Sequence, residues 1–154
     1  MTFVLENIRS GWNVGSILRT CDALGWNVIL VGYTPQPVAA NMKQISKTAI
    51  GAEKTVDWRH FDHSQEVFDQ YQSSKHLAIE ISDKSININE YLRNNKIPKD
   101  TLLWLGNEIH GVSELVRNQA DQELHLTMKG IKESLNVSSA ACAIGYLLEF
   151  VIEE

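Results

Sequence analysis

The chain has 154 residues, 14 Lys plus Arg against 19 Asp plus Glu, and 44% hydrophobic residues. This is enough apolar material for the core of one ordinary-sized domain, residues 1–154. The composition excludes a second large domain, extensive disorder and a disulfide scaffold, since Cys21 and Cys142 are its two cysteines and read as reduced and structural. A net charge of −5 also speaks against a surface that attracts nucleic acid everywhere. That charge is uneven, however: residues 1–60 hold six basic against four acidic side chains (+2), and residues 61–154 eight against fifteen (−7).

In chain order, Thr2–Leu5 reads as a strand and residues 8–13 as the loop leaving it. Helical spacing of Ile17, Cys21 and Leu24 follows, with Asn13 as a possible cap and Gly25 as a stop before the strand Val28–Val31. Two prolines make residues 32–37 a loop. A short basic helix is expected over Met42–Ala49, a short extended piece over Thr55–Trp58, and a helix over Gln65–Gln72. His76–Ile81 reads as a strand and Ile88–Arg93 as a short helix. Thr101–Leu105 reads as a buried strand leaving through Gly106–Gly111, with Ser113 capping the next short helix. Glu123–Thr127 alternates as a strand, and a long helix begins near Asn136, its apolar side running from Val137 and Ala140 to Leu148 and Val151. The order predicts an α/β fold with a mostly parallel sheet flanked by helices.

Three polar loops follow apolar strands, around Asn13–Arg19, Gly106–Gly111 and Gly130–Asn136. Loops so placed form pockets at the carboxyl edge of a sheet, where glycine lets backbone approach a ligand and Asn or Ser supplies hydrogen bonds. Neither a dinucleotide fingerprint nor a P-loop is present, and His60 and His63 lack a third ligand for a metal. With no apolar run long enough to span a bilayer and no secretory start, a cytoplasmic protein is expected, without membrane or metal.

The three loops resemble the three motifs of the SpoU family of RNA ribose 2'-O-methyltransferases, of the SPOUT class. Asn13-Val14-Gly15-Ser16-Ile17-Leu18-Arg19-Thr20 resembles the first, Leu105-Gly106-Asn107-Glu108-Ile109-His110-Gly111-Val112-Ser113 the second, and Ser134-Leu135-Asn136-Val137-Ser138-Ser139-Ala140 the third. The resemblance implies a C-terminal deep trefoil knot, a homodimer whose two chains both shape the active region, and S-adenosyl-L-methionine as cofactor. It points to Gly106, Leu126, Leu135 and Ile81 around that cofactor, and to Arg19, Asn13, Glu108 and Asn136 for catalysis. Arg19 would position phosphate and stabilise charge, because a guanidinium stays protonated. Glu108 would orient the nucleotide or take a proton through water, or else fix its loop by hydrogen bonds.

Two positions depart from the family pattern: Asn107 stands where many relatives use Ser, and Thr127 where Pro often follows the last core strand. RNA contact is expected from Arg9, Lys43, Lys47 and Lys54, with Trp12 or Tyr33 stacking on a base. The lack of a sizeable attached RNA-recognition domain tilts the expected substrate toward tRNA rather than rRNA. The alternative is a catalytically inactive RNA-binding or dimerisation protein that keeps the fold.

Overall fold

The computed structural model describes residues 1–151; residues 152–154 of the expected domain lie outside the described residues. The chain runs β1 (Thr2–Glu6), α1 (Gly11–Leu24), β2 (Asn27–Val31), α2 (Met42–Ala49), β3 (Trp58–Phe61), α3 (Ser64–Gln70) and β4 (His76–Ile79). It continues β5 (Ile86–Asn87), α4 (Ile88–Asn94), β6 (Leu102–Leu105), α5 (Glu114–Gln119), β7 (Gln122–His125) and α6 (Val137–Glu149). The seven strands form one parallel sheet in the order β3-β2-β1-β6-β4-β7-β5.

The near-continuous apolar strands are explained by burial of both sheet faces. Phe3 and Leu5, with Leu30, Leu77 and Leu103, join the core beneath α1 and α6, while the alternate residues Val4, Ile29, Ala78 and Trp104 pack on the opposite side with Val67, Phe68 and Val116 of α3 and α5. On this second side Trp104 Nε1, which can only donate, gives its proton to His76 Nδ1 at 3.1 Å. His76 Nε2 therefore donates to the Tyr71 carbonyl at 2.9 Å, and Phe68 stacks on both rings.

Two local expectations are corrected. Ser10, not Asn13, caps α1: its hydroxyl accepts from Asn13 N at 3.4 Å, and the helix starts at Gly11. Asn13 is thus inside the first turn, with its side chain released for other work. The extended piece expected over Thr55–Trp58 falls instead on β3. A 3₁₀ turn at Ala52–Lys54 carries Thr55 and Val56 round by main-chain bonds to Ala52, and pairing with β2 begins only at Trp58. Gly25 does end α1, in the left-handed region at φ 67°.

The buried carboxylate of Glu6 ties the start of two helices to the end of β1. It accepts from the Ser64 hydroxyl, and from Ser113 N and Oγ, each at 2.7 Å. Ser113 is also the cap of α5. These bonds hold the segment after Gly106–Val112 against β1, so the second polar loop leaves the sheet on a fixed path.

Candidate active site

The carboxyl ends of β1, β4, β6 and β7 open at one edge of the parallel sheet, and the segments that leave β4, β6 and β7 wall a cavity of ≈ 450 Å³. Gly106, Leu126, Leu135 and Ile81 all line it, and so do Glu108 and Asn136. Leu126 is partly buried against the core, whereas Leu135 and Ile81 are about half exposed, at 47% and 49%. Gly106 is glycine for an internal reason. A Cβ there would overlap the backbone of Gly111 and Val112, so the residue lets its own loop fold back on itself.

At the cavity mouth, one chain of hydrogen bonds joins the three polar loops. Asn136 Nδ2 donates to Asn13 Oδ1 at 3.1 Å, and Asn13 Nδ2 donates to Glu108 Oε1 at 2.9 Å. Glu108 also accepts from Arg9 N at 2.9 Å and Ser10 N at 3.2 Å. Partial burial pushes the Glu108 carboxyl up, but these donors outweigh it and hold the group below its ordinary value. A carboxylate so supplied with donors is a poor proton acceptor. Asn136 meanwhile caps α6, its Oδ1 accepting from Ser138 N at 2.9 Å and from Ser138 Oγ at 2.6 Å. Capping and bridging use different atoms of one amide, so Asn136 does both at once.

Arg19 is not part of this network. Six residues beyond Asn13 on α1 it is turned by roughly 120° at 3.6 residues per turn, and it is exposed beside a second, more open cavity of ≈ 400 Å³. That cavity lies between α1, α2 and α6, where Lys47, Cys142 and Tyr146 also contribute. The approach of α1 to α2 depends on Gly15, whose Cβ would overlap Thr48 Oγ1 and the Ile45 carbonyl. Gly15 therefore serves helix packing, whereas Gly106 both folds its loop and lines the cavity.

Cys142 is exposed on α6, so the structural reading of the cysteines fits Cys21 alone, buried and with its thiol pushed up to about 12 by burial. Asn107, a departure from the family pattern, is largely buried and uses its whole amide. Its Oδ1 accepts from Ile109 N at 2.9 Å and His110 N at 3.0 Å, while Nδ2 donates to the Asn7 carbonyl at 2.8 Å and Tyr33 Oη at 2.7 Å. Thr127, the other departure, accepts from Asn87 Nδ2 through its hydroxyl oxygen. Sequence reasoning missed Glu80, which lines the cavity from just beyond β4. Its signal was an acidic residue at the carboxyl end of an otherwise apolar strand.

The model of the SpoU rRNA Methylase family matches residues 1–146, and the chain belongs to that family. It is 30% identical over 144 residues to the tRNA (guanosine(18)-2'-O)-methyltransferase of Thermus thermophilus, covering 94% of this chain and 71% of that one. Among solved structures, the Aquifex aeolicus TrmH/SpoU tRNA modifying enzyme superposes with a TM-score of 0.81 at 26% identity, over 97% of this chain and 73% of that one. The SpoU methyltransferase AviRb of Streptomyces viridochromogenes, solved with AdoMet, shares the fold at a TM-score of 0.83 and 23% identity, over 97% of this chain and 59% of that one.

Proposed function

We propose that this chain is an S-adenosyl-L-methionine-dependent RNA ribose 2'-O-methyltransferase that acts on tRNA, as a cytoplasmic homodimer with a C-terminal trefoil knot. The observation that carries the reading is the cavity itself, where segments from β4, β6 and β7 meet and the Asn136–Asn13–Glu108 bonds tie the three polar loops together. Its wall suits the cofactor. Ile79, Ile81, Leu105 and Leu126 offer an apolar slot for adenine and the methionine chain, while Glu80 and Glu108 make the wall acidic, which suits a cationic molecule. The tRNA assignment draws on the Thermus thermophilus relative, whose named substrate is tRNA.

When bound, the cofactor supplies a methyl group whose bond to sulfur breaks, leaving the electron pair on sulfur, as a bond to the ribose 2'-oxygen forms and the hydroxyl proton passes to phosphate or water. Gly106, Leu126, Leu135 and Ile81 hold the cofactor and exclude water. Asn13, Glu108 and Asn136 act as positioning residues that keep the loops in register, which is the main requirement of an in-line transfer. Arg19 orients the RNA phosphate and offsets charge as the 2'-oxygen loses its proton.

Because Arg19 faces away from the cavity in its own protomer, the homodimer brings Arg19 of the partner subunit to it. Support for pairing comes from α6, which is apolar on both sides. Ala141, Ile144 and Leu148 are buried inward, while Cys142, Tyr146 and Phe150 form an exposed stripe four residues apart. The knot draws support from connectivity. The chain leaves β7, near one edge of the sheet, yet α6 reaches back to α1, with Gly145 against Leu24 and Trp26 Nε1 donating to Glu149 Oε2 at 3.2 Å.

On the RNA side, Lys43, Lys47, Lys54 and Arg9 are exposed. Tyr33 is the better stacking platform: the residue is 62% exposed and its hydroxyl is anchored by Asn107, whereas Trp12 already lies 5.1 Å beneath Lys47 Nζ. Labelled methyl transfer to total cellular RNA, followed by nucleoside analysis, tests the reading. Label in a 2'-O-methylnucleoside of the tRNA fraction is the expected result. Stoichiometric RNA binding without transfer would instead favour the inactive alternative.

A further inference from the structure

Glu80 is the side chain of the cavity wall that the three polar loops leave unexplained. It stands between Ile79 and Ile81, and its carboxylate turns onto the Gly106–Val112 loop. Oε2 accepts from Val112 N at 2.9 Å and Oε1 from Ile81 N at 3.1 Å. Gly111, at φ 69°, makes room for it, since a Cβ there would overlap Oε2. The loop is therefore shaped around a carboxylate.

The charge of the wall is one-sided. Glu80, Glu108 and His125 are the titratable side chains that line the cavity, and no Lys or Arg lines it among the described residues. His125 Nδ1 is engaged with Ser85 Oγ at 2.9 Å. Glu108 spends its oxygens on two main-chain donors and Asn13 at the mouth. Glu80, by contrast, meets two main-chain N–H groups, with apolar Ile79, Leu105 and Leu126 sharing its cavity. Each carboxylate oxygen can accept more than one hydrogen bond, so acceptor capacity toward the cavity remains.

We propose that Glu80 is a charge-selecting residue of the cofactor site, favouring S-adenosyl-L-methionine over its product S-adenosyl-L-homocysteine. This rests on the cavity being the cofactor site. The two molecules differ by one methyl group and one positive charge, because cleavage of the carbon–sulfur bond leaves the pair on sulfur and turns the sulfonium into a thioether. Apolar contacts change little with that loss. An anionic wall beside apolar surface, where Coulomb attraction is stronger than in water, changes much more. The residue thus holds the charged form before transfer and weakens the hold once the charge has gone, which aids product release.

The test is calorimetric titration of the wild-type protein, Glu80→Gln and Glu80→Asp with S-adenosyl-L-methionine, S-adenosyl-L-homocysteine and sinefungin. Sinefungin carries an amine in place of the methylsulfonium and so keeps the extra cation. Gln retains an acceptor for Val112 N while removing the charge. The expected result for Glu80→Gln is a drop of about tenfold in affinity for the two cationic ligands, with affinity for the homocysteine product unchanged within about twofold. Glu80→Asp should keep most of the preference.

A parallel loss for all three ligands in Glu80→Gln would mean that Glu80 only pins the loop, and would overturn the proposal. So would a wild-type protein that binds sinefungin no more tightly than S-adenosyl-L-homocysteine, a comparison that needs no variant. Failure of the wild-type protein to bind any of the three would overturn the methyltransferase reading itself.

Discussion

Two cavities among the described residues differ in the way a methyl transfer to RNA requires. One, at the carboxyl edge of the sheet, is walled by apolar side chains and by Glu80 and Glu108. The other lies outside the sheet between helices, more open, and presents Arg19 and Lys47. An acidic cavity suits a cationic small molecule and a basic one suits phosphate, so the opposite charges keep the two ligands from competing for one place. The separation also has a cost. Within one protomer the guanidinium proposed to act on the RNA is not in the cavity where the methyl donor would sit.

Arg19→Ala gives the largest expected effect on this pairing of cavities. Methyl transfer should fall about 10²–10³-fold, the size typical of losing one preorganised charge-stabilising group, while calorimetric affinity for S-adenosyl-L-methionine stays unchanged. Equal transfer rates in the two proteins would separate Arg19 from the chemistry. Mixing subunits sharpens the point. Gly106→Val should destroy the acidic cavity by driving a side chain into Gly111 and Val112, so each parent of the proposed homodimer should be impaired for a different reason. Random exchange with Arg19→Ala chains should restore about a quarter of wild-type transfer, because half the dimers would be mixed and each would own one complete site. No recovery in a verified heterodimer would place both functions in the same chain.

Asn136→Ala has the next largest expected effect, since it touches stability and the mouth of the acidic cavity together. Loss of the α6 cap should cost about 1 kcal/mol, read as a lower thermal midpoint. The bond to Asn13 is lost as well. Asn136→Asp separates the two roles: it keeps an oxygen for Ser138 and Ser139 but removes the donor to Asn13. Stability near wild type with impaired transfer would identify the bridge, rather than the cap, as the functional contact.

How far the two cavities could be read in advance depended on the range of the interactions. Runs such as Val28–Val31 and Leu102–Leu105 announce buried strands because burial on both faces leaves no polar alternation. Gly25 announces a helix end for a local conformational reason, and α2 falls on the expected residues. The errors lie where tertiary contacts decide. Thr55 and Val56 look extended, yet a turn onto Ala52 holds them and the Thr55 hydroxyl donates to Asp22 Oδ1 on α1 at 2.6 Å. Asn13 looks like a cap until Ser10 takes that role and Glu108, 95 residues away, takes the amide. Motif order identified the loops, but their mutual bonds, the turn of Glu80 onto the second loop and the outward turn of Arg19 arise only when the sheet brings distant segments together.

Lowering the pH probes the acidic side through Glu108. Hydrogen bonds from Arg9, Ser10 and Asn13 outweigh burial and depress the Glu108 pKa, so its contribution to the folded state is complete above the ordinary carboxylate range. It is lost as pH falls through the lowered value. Hydrogen exchange of the Arg9 and Ser10 amides should therefore show full protection at neutral pH and a decline only in acid. In Glu108→Gln that acid step should vanish, with weaker protection throughout. An unchanged acid step in the variant would assign it to another carboxylate.

The smallest expected effect concerns the basic side, and it bears on why a chain of net charge −5 can hold RNA at all. Lys43 and Lys47 lie four residues apart on exposed turns of α2, a helix carrying no acidic residue, so their charges add locally despite the acidic remainder of the molecule. If each neutralises one phosphate, Lys43→Ala and Lys47→Ala should each flatten the dependence of log affinity on log salt by somewhat less than one unit, about 0.7–0.9. At physiological salt this means only a few-fold weaker RNA binding, with cofactor affinity untouched. Lys47 carries a second expectation, because it covers the Trp12 ring. Its removal should free Trp12 to stack, making the affinity loss smaller than for Lys43→Ala while the loss in salt slope stays the same. Equal losses in both quantities would mean that Trp12 does not meet the RNA, leaving Tyr33 as the stacking ring.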